Sequence, residues 1–358
     1  MANKKSVLQD PLLLSQLTWH DIEDLVVMEL FSVTRRDPLS VGGYLNIDAL
    51  DSGLFRSYFR FEKADIRRLR SALLVPDVIS TPQRVLVPGD EALCITLRRL
   101  SYPNRLCELE PFFGRHYSVI SSVTSYVLSH IEDKFVRLLK DVNNHTWVDL
   151  PTIDMFAQAI HSKGAPLHNC LGFIDGTARA ICRPSTSQKV FFSGHKRVHS
   201  VKYQSIMCPN GIICQLSGPF FGSRHDAGIL RKSKTYEKLE KLVQGHDYCL
   251  YGDPAYPLRP LLLKPYGGVR ITARQEAFNR EMSKVRQAVE WGFGKIAGLF
   301  AFLDFRKNQK LHRQNLPRMY RVSAILANCH TCMYGSQVSQ YFGLDPPSLE
   351  TYLCPRYQ

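Results

Sequence analysis

The chain has 358 residues, enough for two or three domains, and its 44% hydrophobic and 22% charged residues exclude a collagenous, low-complexity or largely disordered polymer. The longest apolar run, Ile296 to Leu303, is eight residues, against the ~20 of a membrane helix, so a soluble chain without membrane association is expected. A net charge of +14 points to a polyanionic partner such as nucleic acid, and the excess is local: Asp175 to Tyr320 holds 25 Lys/Arg against 10 Asp/Glu, leaving the rest of the chain near neutral.

Residues 1–60 read as a polar lead-in, partly helical, with a few turns such as Asp21–Ser32. From Phe61 to about Leu150, apolar residues recur at three- and four-residue spacing, which predicts an all-α block of three to five helices with no sheet. Within it, Arg105–Phe113 reads as one short helix weakened by Pro111, Gly114 as a turn, and Tyr117–Leu128 as a second helix. That is a helix-turn-helix shape, with Ser121, Ser122 and Ser125 among the groups able to reach a phosphate or a base edge. Two packed helices of an ordinary bundle would give the same pattern.

The period changes after Pro151–His168. Cys170–Ile174 is an apolar strand running into Asp175, and Val198–Met207 and Gly211–Leu216 flank the turn signal Pro209-Asn210-Gly211. Asp226–Leu242 reads as one amphipathic helix and Asp247–Tyr251 as a further strand. From Ala277 to about Phe300, every apolar step is three or four residues. This is an α/β pattern whose sheet is partly antiparallel, assigned to residues 165–335, with 336–358 as a C-terminal tail.

Three acids stand where such a fold places chemistry. Asp175 is expected to end one core strand, Asp253 follows another after a single glycine, and Glu290 lies in the long helix. Each has a plain structural alternative: an Asp before Gly-Thr or Pro serves as a turn residue, and Glu290 could pair with Arg286 one turn earlier. Together they suit hard divalent cations, which take oxygen ligands and, in pairs ~3.5–4 Å apart, serve displacement at phosphorus. Basic groups surround them in sequence: His195, Lys196, Arg197 and Lys202 on one side, Arg306, Lys307, Lys310 and Arg313 on the other, as a duplex backbone would require. Ten irregularly spaced cysteines suggest reduced thiols, and Cys329/Cys332 lack a second pair to complete a zinc site.

The elements Phe173-Ile-Asp175-Gly-Thr177, Gly194–Ser200, Gly222-Ser-Arg-His-Asp226, Tyr251–Leu258 and Val289–Lys295, in this order, resemble PIF/Harbinger-type DDE transposases, from roughly Phe61 to Tyr334. The resemblance implies an RNase H-like nuclease domain with Asp175, Asp253 and Glu290 as catalytic and metal-holding residues for two Mg²⁺ or Mn²⁺. It implies cleavage at terminal inverted repeats and joining of the 3′-hydroxyl to target double-stranded DNA. It further implies a nuclear location, a Myb-like accessory protein and a homo-oligomer, and makes Asp226 a supporting group. Pro254 and Trp291-Gly292 depart from the family pattern. The alternative reading is a host-recruited, catalytically inactive DNA-binding or interaction protein.

Overall fold

A computed structural model describes residues 45–354 apart from 312. The expected turns at Asp21–Ser32, His312 and the last four residues of the tail lie outside the described residues.

The first half is helical but not all-α. Helices α1 (Ser52–Phe59) and α2 (Ile66–Ala72) are followed by an antiparallel hairpin, β1 (Val78–Ser80) and β2 (Leu86–Pro88), which corrects the expectation of helices alone. Pro76, Pro82 and Pro88 interrupt any helical run there, and the Ile79–Val87 pair turns its side chains inward while their neighbours face water. Then come α3 (Gly89–Ser101), α4 (Glu110–Phe113), α5 (Tyr117–Lys140) and α6 (Leu150–Ser162). The helix expected over Arg105–Phe113 is split. A 3₁₀ turn over Leu106–Leu109 precedes α4, which restarts so that Pro111 falls in its first turn, where no N–H is needed. Gly114 closes α4 at φ 62°, and His116 caps α5. Arg115 in that turn grips Glu91 of α3 with Nε and Nη2 at 2.6 and 2.8 Å, both side chains buried.

The second half is a mixed sheet. β3 (Cys170–Ala180) lies between β5 (Val198–Met207), antiparallel to it, and β7 (Cys249–Tyr251), parallel to it. β4 (Phe192–Ser193), which follows the one-turn helix α7 (Gln188–Phe191), and β6 (Ile213–Phe221) both pair antiparallel with β5, and β8 (Leu262–Leu263) extends the parallel side beyond β7. Three antiparallel strands followed by two parallel ones fit the RNase H-like expectation.

Between β6 and β7, the single helix expected over Asp226–Leu242 is two: α8 (Asp226–Ser233) and α9 (Thr235–Val243), broken at Lys234 with φ 53°. Ser233 Oγ and Thr235 Oγ1 both donate to the buried Gln204 Oε1 at 3.0 Å. Residues two apart on one helix face away from each other, so both bonds require the break.

Helix α10 (Ala273–Leu299), started by a Thr272–Gln275 capping box, and α11 (Leu316–Tyr334) complete one face of the sheet. Residues of the expected tail form α12 (Gln337–Phe342) and α13 (Leu349–Leu353), with Phe342, Leu349 and Tyr352 buried. One apolar cluster runs from Phe55 and Ile120 through Phe173 and Tyr251 to Val289 and Leu353, so the helices before residue 150 share a core with the sheet. A second cluster on the opposite face joins Ile174, Ile206 and Leu250 to α6, α8 and α9. Among the described residues no helix is long and apolar enough to cross a membrane.

Candidate active site

Strand register explains why two distant aspartates meet. Phe173 pairs with Tyr251 across the parallel β3–β7 ladder. Asp175 stands two residues further along β3, so the period of two returns it toward the face covered by α10, and Asp253 stands two residues past Tyr251 in the turn after β7, with its charge acting on Asp175. Phe173 and Tyr251 lie in the cluster on that face, whereas Ile174 and Leu250 lie in the opposite one. Asp175 does not end its strand as expected: β3 continues to Ala180 because its antiparallel partner β5 supplies hydrogen bonds that far. Asp253 follows a strand end, in a turn where its carboxylate accepts from the Ala255 N–H at 3.0 Å.

The pocket is electrostatically loaded. Burial pushes the Asp175 carboxyl up to about 6 from 3.8, against the pull of Arg286 and a hydrogen bond from the Gly176 N–H, and Asp253 and Glu290 add to the rise. Burial also raises Asp253, and the nearby Asp226 charge is the next cause. Asp253 and Glu290 thus act on Asp175, and Asp226 acts on Asp253, although Glu290 itself is exposed on α10. Asp226 begins α8 and comes so close to β3 that a Cβ on Gly176 would sit 2.9 Å from its Oδ1. Behind the acids, the phenol of Tyr256 is buried and accepts a hydrogen bond from Gln204 Nε2 at 3.2 Å.

A positive charge already sits there. Arg286 Nη2 lies 3.0 Å from Asp175 Oδ1, with the side chains 20% and 14% exposed. The alternative of an idle Glu290–Arg286 pair is not what the structure shows: the guanidinium turns to the strand instead. Three buried polar atoms near Asp175 have no partner: Arg286 Nε, Tyr251 Oη, and Oγ of Ser205, the residue paired with Asp175 across β3–β5. Oxygen-only donors and unpaired hydroxyls suit a hydrated hard cation, so the residues present fit a divalent ion by their chemistry. Among the described residues, no three His, Cys, Asp or Glu side chains are already drawn together as a metal cluster.

Residues 174–328 match the family model of the DDE superfamily endonucleases, a span that takes in Asp175, Asp253 and Glu290. "Protein ALP1-like" from Arabidopsis thaliana is 25% identical over 254 residues, 67% of this chain and 60% of that protein. "Probable transposase for insertion sequence element IS702" from Microchaete diplosiphon is 30% identical over 128 residues, 35% of this chain and 45% of that protein. Over the stretch that carries the three acids, the chain is similar to DDE transposases and endonucleases. It thus spans less than two thirds of either relative's length, and no solved structure matches it.

The remaining predicted residues fall into three places. His195, Lys196 and Arg197 form an exposed turn between β4 and β5, and Arg306, Lys307 and Lys310 an exposed loop after α10. Both flank the far end of β3: the Ile181 N–H donates to His199 O and the Cys182 N–H to Gln309 O. That end lies five residues past Asp175, ~17 Å at strand spacing. Arg313 is exposed just beyond the second loop. Lys202 instead joins the acids, donating to Arg224 O at 2.7 Å and standing 3.7 Å from Asp226 Oδ1. Ser121, Ser122 and Ser125 lie on α5 beneath the β1–β2 hairpin, where Gln83 Nε2 donates to Ser122 Oγ at 3.1 Å. The Cys329 and Cys332 thiols sit in the last turns of α11, with burial raising Cys332 to about 12.

The sequence offered Arg286 only as a partner for Glu290, and Ser205 and Tyr256 not as site residues at all. Arg286 carried a signal, its place one turn before Glu290. The other two carried none, since a serine in a strand and a tyrosine after a turn are unremarkable until register is known.

Proposed function

We propose that this protein is a metal-dependent DNA endonuclease of the transposase type, acting on double-stranded DNA in the nucleus. The observation that carries the proposal is the shared register level of Asp175 and Asp253 beneath the helix that bears Glu290. Basic loops at the far end of β3, about 17 Å along the strand from Asp175, supply a second, independent support. Asp175, Asp253 and Glu290 would hold two Mg²⁺ or Mn²⁺ ions, which when bound supply an activated attacking oxygen and stabilise the leaving one. The chain's own part is to fix the two aspartates on adjacent strands, bring Glu290 in on α10 and present Arg197, Lys307 and Lys310 to the phosphate backbone. Cutting at inverted repeats, a Harbinger-like lineage and a Myb-like accessory protein rest on the sequence resemblance alone.

The test is nicking of an inverted-repeat duplex and of supercoiled plasmid with Mg²⁺ or Mn²⁺. Wild type should cleave, and Asp175→Asn, Asp253→Asn and Glu290→Gln should each fall by orders of magnitude. Equal rates for wild type and Asp175→Asn would end the proposal. A second reading, a DNA-binding protein without cleavage, is favoured by one observation: Arg286 Nη2 lies 3.0 Å from Asp175 Oδ1. Duplex binding with no cleavage under either metal would select it.

A further inference from the structure

Two arginine–carboxylate pairs in this protein contrast. Arg115 engages both oxygens of Glu91 through Nε and Nη2, the fork geometry of a structural bridge. Arg286 touches Asp175 through Nη2 alone and leaves a buried Nε without a partner. Its charge also lowers Asp253, and on α10 it stands one helical turn before Glu290. Around it, Tyr251 Oη and Ser205 Oγ are buried and unpaired.

We propose that Arg286 is a resident counter-cation: it occupies the position of a divalent ion on Asp175, holds the carboxylates together before loading, and turns aside when the ion enters. The inference rests on the endonuclease reading of the same pocket. Asp175 Oδ1 already takes both the guanidinium and the Gly176 N–H, so a metal bound to that oxygen would have to displace the guanidinium, and the two cations repel each other on one carboxylate. A one-nitrogen bridge is the kind that can be displaced, because few directed hydrogen bonds are lost when it breaks. Once aside, Arg286 no longer screens Asp175 from Asp253 and Glu290, which makes the pocket hungrier for positive charge.

Removing the guanidinium should therefore tighten metal binding, whereas a merely structural arginine would loosen it. Mn²⁺ is titrated calorimetrically into the full chain as wild type, Arg286→Gln, Arg286→Lys and Asp253→Asn, with circular dichroism to check folding. Arg286→Gln should bind Mn²⁺ at least tenfold more tightly than wild type, and its metal-free melting temperature should fall yet recover on adding Mn²⁺. Arg286→Lys, shorter but still charged, should lie between the two and serves alone if the glutamine variant does not fold. Wild type binding Mn²⁺ in an Asp253-dependent way, with the folded arginine variants binding equally or more weakly, overturns the counter-cation role only. Wild type showing no Asp253-dependent Mn²⁺ site overturns the endonuclease reading and this inference with it.

Discussion

Replacing Asp175 by asparagine should change how the metal-free protein responds to pH, and the size follows from the pocket. Burial holds the Asp175 carboxyl at about 6 rather than 3.8 even with Arg286 beside it. The folded state thus keeps this proton to a higher pH than the unfolded chain does. A raised carboxyl contributes stability that is present below pH ~4 and lost as pH rises through 6, ~3 kcal/mol in all at 1.36 kcal/mol per pH unit. About 2 kcal/mol of that falls between pH 4.5 and 7.5. Asparagine cannot lose a proton, so Asp175→Asn should forgo this decline, whatever fixed offset comes from losing the Arg286 bridge. The assay is urea unfolding in EDTA across that range, read as the difference between wild type and variant. Groups that do not interact with Asp175, such as His145, held near 4 by burial, drop out of that difference, whereas Asp253, whose charge acts on Asp175, adds a smaller change of its own. Parallel profiles for the two proteins would refute a buried, proton-hungry Asp175.

Two further outcomes are expected. Gly252→Ala places a Cβ 2.8 Å from the Tyr256 ring and 2.9 Å from Ile174 Cγ2, neither free to retreat. It should cost ~1–3 kcal/mol in thermal or urea unfolding and, by displacing the Asp253 turn, weaken Mn²⁺ binding more than duplex binding. Replacing Lys307 and Lys310 with alanine should weaken duplex binding equally for unrelated sequences and lower the salt slope by about 2, measured by fluorescence anisotropy at several salt concentrations.

Much of the nuclease half could be read from the residues because its signals are local. Pro209-Asn210-Gly211 demands a tight turn, and Gly211 adopts φ 85° between β5 and β6. The three-and-four spacing from Phe278 to Phe300 is one stripe on one helix, buried where expected. The unread parts depend on partners far away in sequence. Strands of three residues, as in β1 and β2, are too short to show a period. The break at Lys234 is set by Gln204 on a neighbouring strand, and nothing inside Asp226–Leu242 announces it. Asp175 was legible as a site residue, whereas its bridge to Arg286 depends on how α10 crosses the sheet. The Ser121–Ser125 face was legible as polar, but the hairpin that covers part of it was not.

The bond between helices and sheet has a practical corollary. Glu132 of α5 is held by Arg318 and Arg321 of α11, which in turn lies over the sheet, and α5 buries Ile120, Val123 and Val127 in the same interior as Phe173. A cut near residue 150 would strip greasy flanks from both fragments and strand a carboxylate from its two guanidinium clasps. Neither piece should be harvested alone as a well-behaved module: the preceding helices act as scaffolding for the sheet that carries the acids, and expression or swapping experiments succeed only when both travel together.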